Sequence, residues 1–333
     1  MIITRSTETL RRCVALFALT LTALSALAPR ASLQAQVRSA IVPAPVTVRD
    51  PNELGRIPVL EYHLIGESDG RWSRSWQRFA RDLELLNSRG YRPITVKQLV
   101  RGDFNLPAGL SPVVITFDDA SPGQFRYIET DGKLQIDPTS AVGVWTAFAA
   151  KHPMWKGRAV FCVLPAASEG HAFFGEKGIQ GQKSAWRLQK VRYLVSQGFE
   201  ICNHTLWHAN LSKMSDTVVQ EQIARAQLAV DSASAGYHLS TLALPLGMWP
   251  KNRALLTRGS WTDKKGFVTS YMIDAVLMVS GGLSRSPKDS LFNPLRIPRI
   301  QVFGDELERI LDRLDREGNR FVSSGKPGQG SAK

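Results

Sequence analysis

The chain contains no uninterrupted apolar stretch of the roughly 20 residues that a membrane-spanning helix requires, and no run of five basic residues. It also has no G-x-S-x-G element, no P-loop and no dinucleotide fingerprint. These gaps argue against a serine hydrolase built on a strand elbow and against a nucleotide-driven enzyme. Cysteine is scarce, with three in 333 residues. Cys13 precedes the apolar N-terminal core, so lipid attachment there is not expected. Cys162 and Cys202 fall in AVFCVLP and GFEICNH, two apolar strand-like runs. Buried free thiols are expected there rather than a disulfide, and neither residue is read as a nucleophile or ligand.

What is present suits a packed globule. A hydrophobic content of 43% over this length allows one large α/β domain or two medium ones. Arg5, Arg11 and Arg12 precede VALFALTLTALSALA, and small residues follow around Ala28 to Ala35. This is the pattern of an export signal, so residues 1–35 are expected to be removed and the protein to be periplasmic, extracellular or envelope-associated. A membrane anchor is the competing reading, but the apolar core is too short for it. The formal net charge is +13, of which about +10 remains without residues 1–35. The basic residues are scattered, without interleaved aromatics, so no nucleic-acid partner is expected. Attraction to an anionic envelope or polysaccharide is the more natural use of the field.

Residues 36–55, rich in Pro and polar side chains, are expected to be a linker, 56–320 the folded domain and 321–333 a disordered tail. Apolar residues at helical spacing (Trp76, Phe79, Leu83, Leu86) end at Gly90. Further helices are expected over 141–150, over 185–197, after a Ser215 N-cap, and around Leu307, Ile310, Leu311 and Leu314. Strand candidates are IPVLEYH, VVITF, AVFCVLP, GFEICN, TLALP, GFVTSYM and LRIPRIQV. The long connection after VVITF is either a substrate-shaping loop or decoration. Such alternation predicts a parallel sheet covered by helices, either open or closed into a barrel, with chemistry at the C-terminal strand ends.

At one such end VVITF runs into Asp118 and Asp119. Burying carboxylates without a partner costs several kcal/mol, so a cation or hydrogen bonds must meet them. The partner is available in NHTLWH after GFEICN. His204 and His208, sharing a helical face or converging from a tight turn, can reach one metal ion. With one carboxylate they make a three-ligand site with an open position, catalytic in style. The second carboxylate would face bound water. Such a set accepts zinc first, with cobalt, nickel or iron as alternatives.

TFDD (116–119) and NHTLWH (203–208) resemble the first two motifs of the polysaccharide deacetylases, the NodB-type carbohydrate esterases. The resemblance, which includes PVLEYH and SRGYRPIT, extends from Ile57 to about Val302, nearly all of the expected domain, and is closest in pattern to the poly-N-acetylglucosamine deacetylases. The resemblance implies a distorted (β/α) barrel of about seven strands. It makes Asp118 the general base, Asp119, His204 and His208 the ligands of one divalent ion, and water the nucleophile. His63, in the Y-H position, becomes the leaving-group acid, since no histidine follows His238 to supply a late L-x-x-H-D motif. An R-x-P-Y-G motif corresponds to Ala243-Leu244-Pro245-Leu246-Gly247, which implies an oxyanion donor at the Leu246 N–H but lacks the motif's arginine and tyrosine. Arg299 is the candidate to replace the arginine. His152, His171 and His238 are read as ordinary residues.

The implied activity is removal of acetyl groups from an N-acetylated polysaccharide. A non-catalytic carbohydrate-binding protein on the same barrel is the alternative, suggested by Ala243 and Leu246. A glycosidase would also use two carboxylates, but on opposite faces of a sugar and without a histidine pair.

Overall fold

The computed structural model describes residues 49–167 and 172–326. The expected export segment (1–35), linker residues 36–48, His171 and tail residues 327–333 lie outside the described residues. Seven parallel strands close into a barrel: β1 (Val59–Tyr62), β2 (Ser111–Phe117), β3 (Val160–Val163), β4 (Glu200–Asn203), β5 (Thr241–Ala243), β6 (Ala275–Gly281) and β7 (Ile297–Gln301). Spatial order follows chain order, and β1 completes the ring by pairing with both β2 and β7. The short strand Tyr91–Pro93 adds to the start of β2.

The period-two alternation of the strands sorts their side chains into two buried layers. Val113, Ile115 and Phe117 of β2 join Leu60, Phe161 and Ile201 in a cluster outside the barrel. That cluster is completed by helices α1 (Trp76–Ser88), α3 (Ala141–Lys151), α4 (Arg187–Ser196), α5 (Asp216–Ala233) and α6 (Glu306–Glu317). The intervening residues Val59, Val114, Val160, Cys162, Cys202, Ala243 and Leu277 share a second cluster, which includes Val96 and Leu99 of α2 (Val96–Arg101). The apolar floor of the barrel is therefore dictated by alternate positions of the strands.

Helix ends carry local signals. Ser75 Oγ accepts a hydrogen bond from Arg78 N, Ser215 Oγ one from Val218 N, and Thr95 with Gln98 forms a reciprocal capping box. In α6 Leu307, Ile310, Leu311 and Leu314 are buried on one face, each worth about 1.5–3 kcal/mol.

Three expectations need correction. GFVTSYM is not a barrel strand; Val268–Met272 pairs with Arg258–Thr262 in an antiparallel hairpin against α5. Its place in the ring belongs to β6, AVLMVSG, which the sequence reading passed over. The two cysteines form a disulfide, because they stand directly opposite each other in the β3–β4 register. The ordered fold also exceeds its expected bounds. Asn52 bridges to Val322, Phe321 is buried against Phe104, and Ser324 Oγ donates to Glu53 Oε1 at 2.7 Å. The connection after β2 carries the hairpin Tyr127–Thr130 with Lys133–Ile136 before α3.

Candidate active site

The alternation that builds the apolar floor delivers polar residues at the C-terminal mouth. Glu61 comes from β1 and His63 from just past its end, Thr116 from β2 and Asp118 from just past its end, His204 from just past β4, and Arg299 from β7. Asp118 and Arg299 are each 1% exposed. Arg299 donates Nη1 to Asp118 Oδ1 at 2.8 Å and Nη2 to Oδ2 at 2.7 Å. It also donates Nη1 to Thr116 Oγ1 at 3.1 Å, Nη2 to Glu61 Oε1 at 3.1 Å and Nε to the Met278 carbonyl at 2.7 Å. Burial alone would push the Asp118 carboxyl up, but the Arg299 guanidinium, aided by His204 and His63, holds it below the usual carboxylate range.

Beyond Asp118 the backbone leaves extended geometry. Asp119 (φ 76°) and Ala120 (φ 46°) adopt left-handed conformations, as do Thr205 (φ 65°) and His208 (φ 63°) in the facing loop. Positive φ at non-glycine residues is uncommon and gathers where a site imposes geometry. At Gly123 a Cβ would lie 1.8 Å from the Ile65 carbonyl oxygen, so only glycine lets this loop pass so close to the chain after β1. Next to it, Gln124 Nε2 donates to the carbonyls of His63 and Asp118, tying the two mouths together.

NHTLWH takes the tight-turn alternative rather than a helix. Asn203 Oδ1 accepts from Thr205 N at 2.8 Å and Thr205 Oγ1 from Ala209 N at 3.1 Å. The turn brings His204 Nε2 to 3.3 Å and His208 Nε2 to 3.5 Å from Asp119 Oδ1. His204 Nδ1 lies 2.9 Å from the Ala243 carbonyl, which can only accept, so Nδ1 carries the proton and Nε2 presents its lone pair. Asp118 and Asp119 shift the His204 imidazole up against its burial, and His204 in turn shifts the Asp119 carboxyl down; a bound cation would take the place of the Nε2 proton.

Two sets of potential ligands have their atoms within 4.8 Å of one another: Asp119, His204 and His208, and Glu61, His63 and Asp118. In the second set Arg299 already engages both carboxylates, Asp118 through two contacts and Glu61 through one. The first set offers one carboxylate and two imidazoles, a donor set that fits one divalent ion.

His63, Leu246, Trp72, Leu64 and Val279 complete a cavity of about 410 Å³ over these groups. The His63 ring packs edge-on to Trp72, with centroids 4.9 Å apart. Burial holds the His63 imidazole below its ordinary value, against the opposing pull of Asp118 and Asp119. Leu246 stands on the turn Pro245–Gly247 with φ 57° and is 55% exposed. His152 lies away from the cavity against Phe148, and His238 is exposed.

The structure thus brings together all seven residues singled out from the sequence. It adds Glu61, Thr116 and Gln124, which were passed over. For Glu61 a signal existed: a carboxylate inside the apolar run IPVLEYH raises the same question as Asp118.

Residues 154–258 match the family model described as polysaccharide deacetylase. A chitooligosaccharide deacetylase of Sinorhizobium fredii is 33% identical over 63 residues, 19% of this chain and 29% of that relative's length. The chain therefore spans less than a third of the curated relative it matches. Among solved structures, a polysaccharide deacetylase from Bacillus cereus superposes with TM-score 0.55 at 18% identity, covering 78% of this chain and 69% of that one. IcaB from Ammonifex degensii gives 0.53 at 18%, covering 78% and 96%. The Streptococcus pyogenes deacetylase PplD, solved with acetate, gives 0.53 at 16%, covering 79% and 98%. At these identities the superpositions establish a shared barrel fold.

Proposed function

We propose that this chain, a homologue of the polysaccharide deacetylases by its family match and its barrel, hydrolyses the N-acetyl groups of an N-acetylated sugar polymer. The observation that carries this reading is a buried carboxylate gripped by arginine, Asp118, beside the Asp119, His204 and His208 set in one cavity. A divalent ion held by those three side chains, zinc being the expected one, supplies Lewis acidity that polarises the amide carbonyl and acidifies water. Asp118 takes a proton from the attacking water, and Arg299 keeps it ionised and aimed. The Leu246 N–H meets the carbonyl oxygen as negative charge develops there. His63 gives a proton to the departing amine. The cavity's apolar wall of Leu64, Trp72, Leu246 and Val279 suits a pyranose ring carrying an acetamido methyl.

Export to the periplasm, envelope or medium belongs to the same reading. It is supported by the N-terminal charge and apolar pattern and by the Cys162–Cys202 disulfide, a bond that persists in oxidising compartments. The net charge of about +10 that remains without residues 1–35 suits an anionic envelope.

One observation favours a second reading, a carbohydrate-binding protein without catalysis: Ala243 and the exposed Leu246 stand where the family motif has arginine and tyrosine. Purified protein supplied with zinc or cobalt and N-acetylglucosamine oligomers separates the two by released acetate. The deacetylase reading expects release that Asp118→Asn abolishes while bound metal is retained, and that His63→Ala lowers strongly. Oligomers bound without acetate under any metal would support the binding protein instead.

A further inference from the structure

Glu61 is 1% exposed and stands two residues before His63, on the interior face of β1. Its Oε1 lies 3.5 Å from His63 Nε2 and accepts from Arg299 Nη2 at 3.1 Å, while its buried Oε2 has no hydrogen-bond partner in the protein. The bland explanation is that Glu61 neutralises Arg299. Asp118 already occupies both terminal nitrogens of Arg299 in a two-pronged contact, so a second carboxylate is surplus to that purpose. An unpartnered buried carboxyl oxygen is destabilising, and packing gives no reason for an acid at this position.

We propose that Glu61 is the positioning residue behind His63: it fixes the ring by its Nε2 edge and holds the proton that replaces the one His63 gives away. This inference rests on the deacetylase reading of the cavity. The proton movement balances. His63 donates its Nδ1 proton to the amine nitrogen as the C–N bond breaks and the bonding pair goes to nitrogen. Glu61 passes its carboxyl proton to His63 Nε2, so the imidazole remains neutral and Glu61 becomes a carboxylate facing Arg299. The proton that Asp118 took from water then restores Glu61, whose ligand atom lies within 4.8 Å of those of Asp118 and His63.

The surrounding charges agree with this direction. Glu61 is faced by His63 from just past its own strand, Asp118 from just past β2, His204 from just past β4 and Arg299 from β7. Burial pushes its carboxyl up to about 8, opposed by Arg299 and reinforced by Asp118, whereas His63 is held low. Both shifts favour keeping the proton on the Glu61 carboxyl rather than on the His63 imidazole.

The test combines turnover with a measurement that needs no turnover. In acetate-release assays with N-acetylglucosamine oligomers, Glu61→Gln should lower kcat by about tenfold or more with KM little changed. Its kcat–pH profile should also lose the wild-type decline above pH about 8. Glu61→Asp should keep that decline and recover part of the rate. In the metal-free protein, the ring-nitrogen NMR shifts of His63 should show an inflection near pH 8 that is absent in Glu61→Gln. Wild-type kcat and pH profile in Glu61→Gln, or a His63 titration identical in the two proteins, overturns the proposal while leaving deacetylation intact. A wild type that frees no acetate overturns the deacetylase reading, and the NMR inflection still reports whether Glu61 and His63 are coupled. Should Glu61→Gln not fold, Glu61→Asp and the wild-type titration decide.

Discussion

Arg299 and Asp118, 181 residues apart in the chain, meet as a fork on a carboxylate across β1, with N–O distances of 2.8 and 2.7 Å. The arginine comes from β7, so the Asp118 carboxylate, the proposed base, is oriented although Ala243 stands where the resemblance to the deacetylase motif would put an arginine. The carbonyl of that same Ala243 is used to orient His204.

Removing one partner of this pair leaves the other charged and buried. Arg299→Ala should therefore destabilise the protein by about 3–5 kcal/mol, read from urea unfolding. Adding Asp118→Asn to it should recover part of the loss, because no uncompensated charge then remains. Arg299→Lys keeps the charge but not the fork, and should fall between wild type and Arg299→Ala in both stability and turnover.

A second prediction concerns stability against pH. The Glu61 carboxyl is raised from 4.5 to about 8 in the fold, so the folded protein binds its proton more tightly than the unfolded chain. The stability this group contributes is fully present below pH 4.5 and is lost as pH rises to about 8. Subtracting the Glu61→Gln unfolding curve from the wild-type curve should isolate this loss, with a slope of at most about 1.4 kcal/mol per pH unit. No difference in slope across that window would contradict the assignment.

The disulfide gives a third. Unfolded without reductant, the protein should leave Cys162 and Cys202 unreactive to alkylation, and both should react after reduction. Replacing the pair by Ser should lower stability by about 2–4 kcal/mol, as expected for a loop closed across 40 residues. Full alkylation without reductant would contradict the pairing.

Much of this architecture was legible in the sequence where local signals were strong. Asp118 and Asp119 stood out because carboxylates end an apolar run, and the histidine pair supplied a cation-binding partner. The Ser215 cap and the Gly90 stop marked two of the helix ends. What stayed illegible depends on register and closure. Cys162 and Cys202 look like isolated core thiols until β3 and β4 align them. Val268–Met272 alternates as a strand should, yet its outward face meets solvent in a hairpin. Glu61 was read as part of a motif, and only the barrel interior gathers it with Arg299 and His63.

Zinc-edge X-ray absorption with titrated metal decides whether Asp119, His204 and His208 hold one ion beside Asp118. One zinc per chain is expected, ligated by two imidazole nitrogens and a carboxylate oxygen. That shell should persist in Asp118→Asn and be lost in His204→Ala or His208→Ala. Saturating zinc, at about 100 times its Kd, should raise unfolding stability by about 2.7 kcal/mol. A zinc shell without imidazole, or wild-type zinc affinity in His204→Ala, would contradict the account.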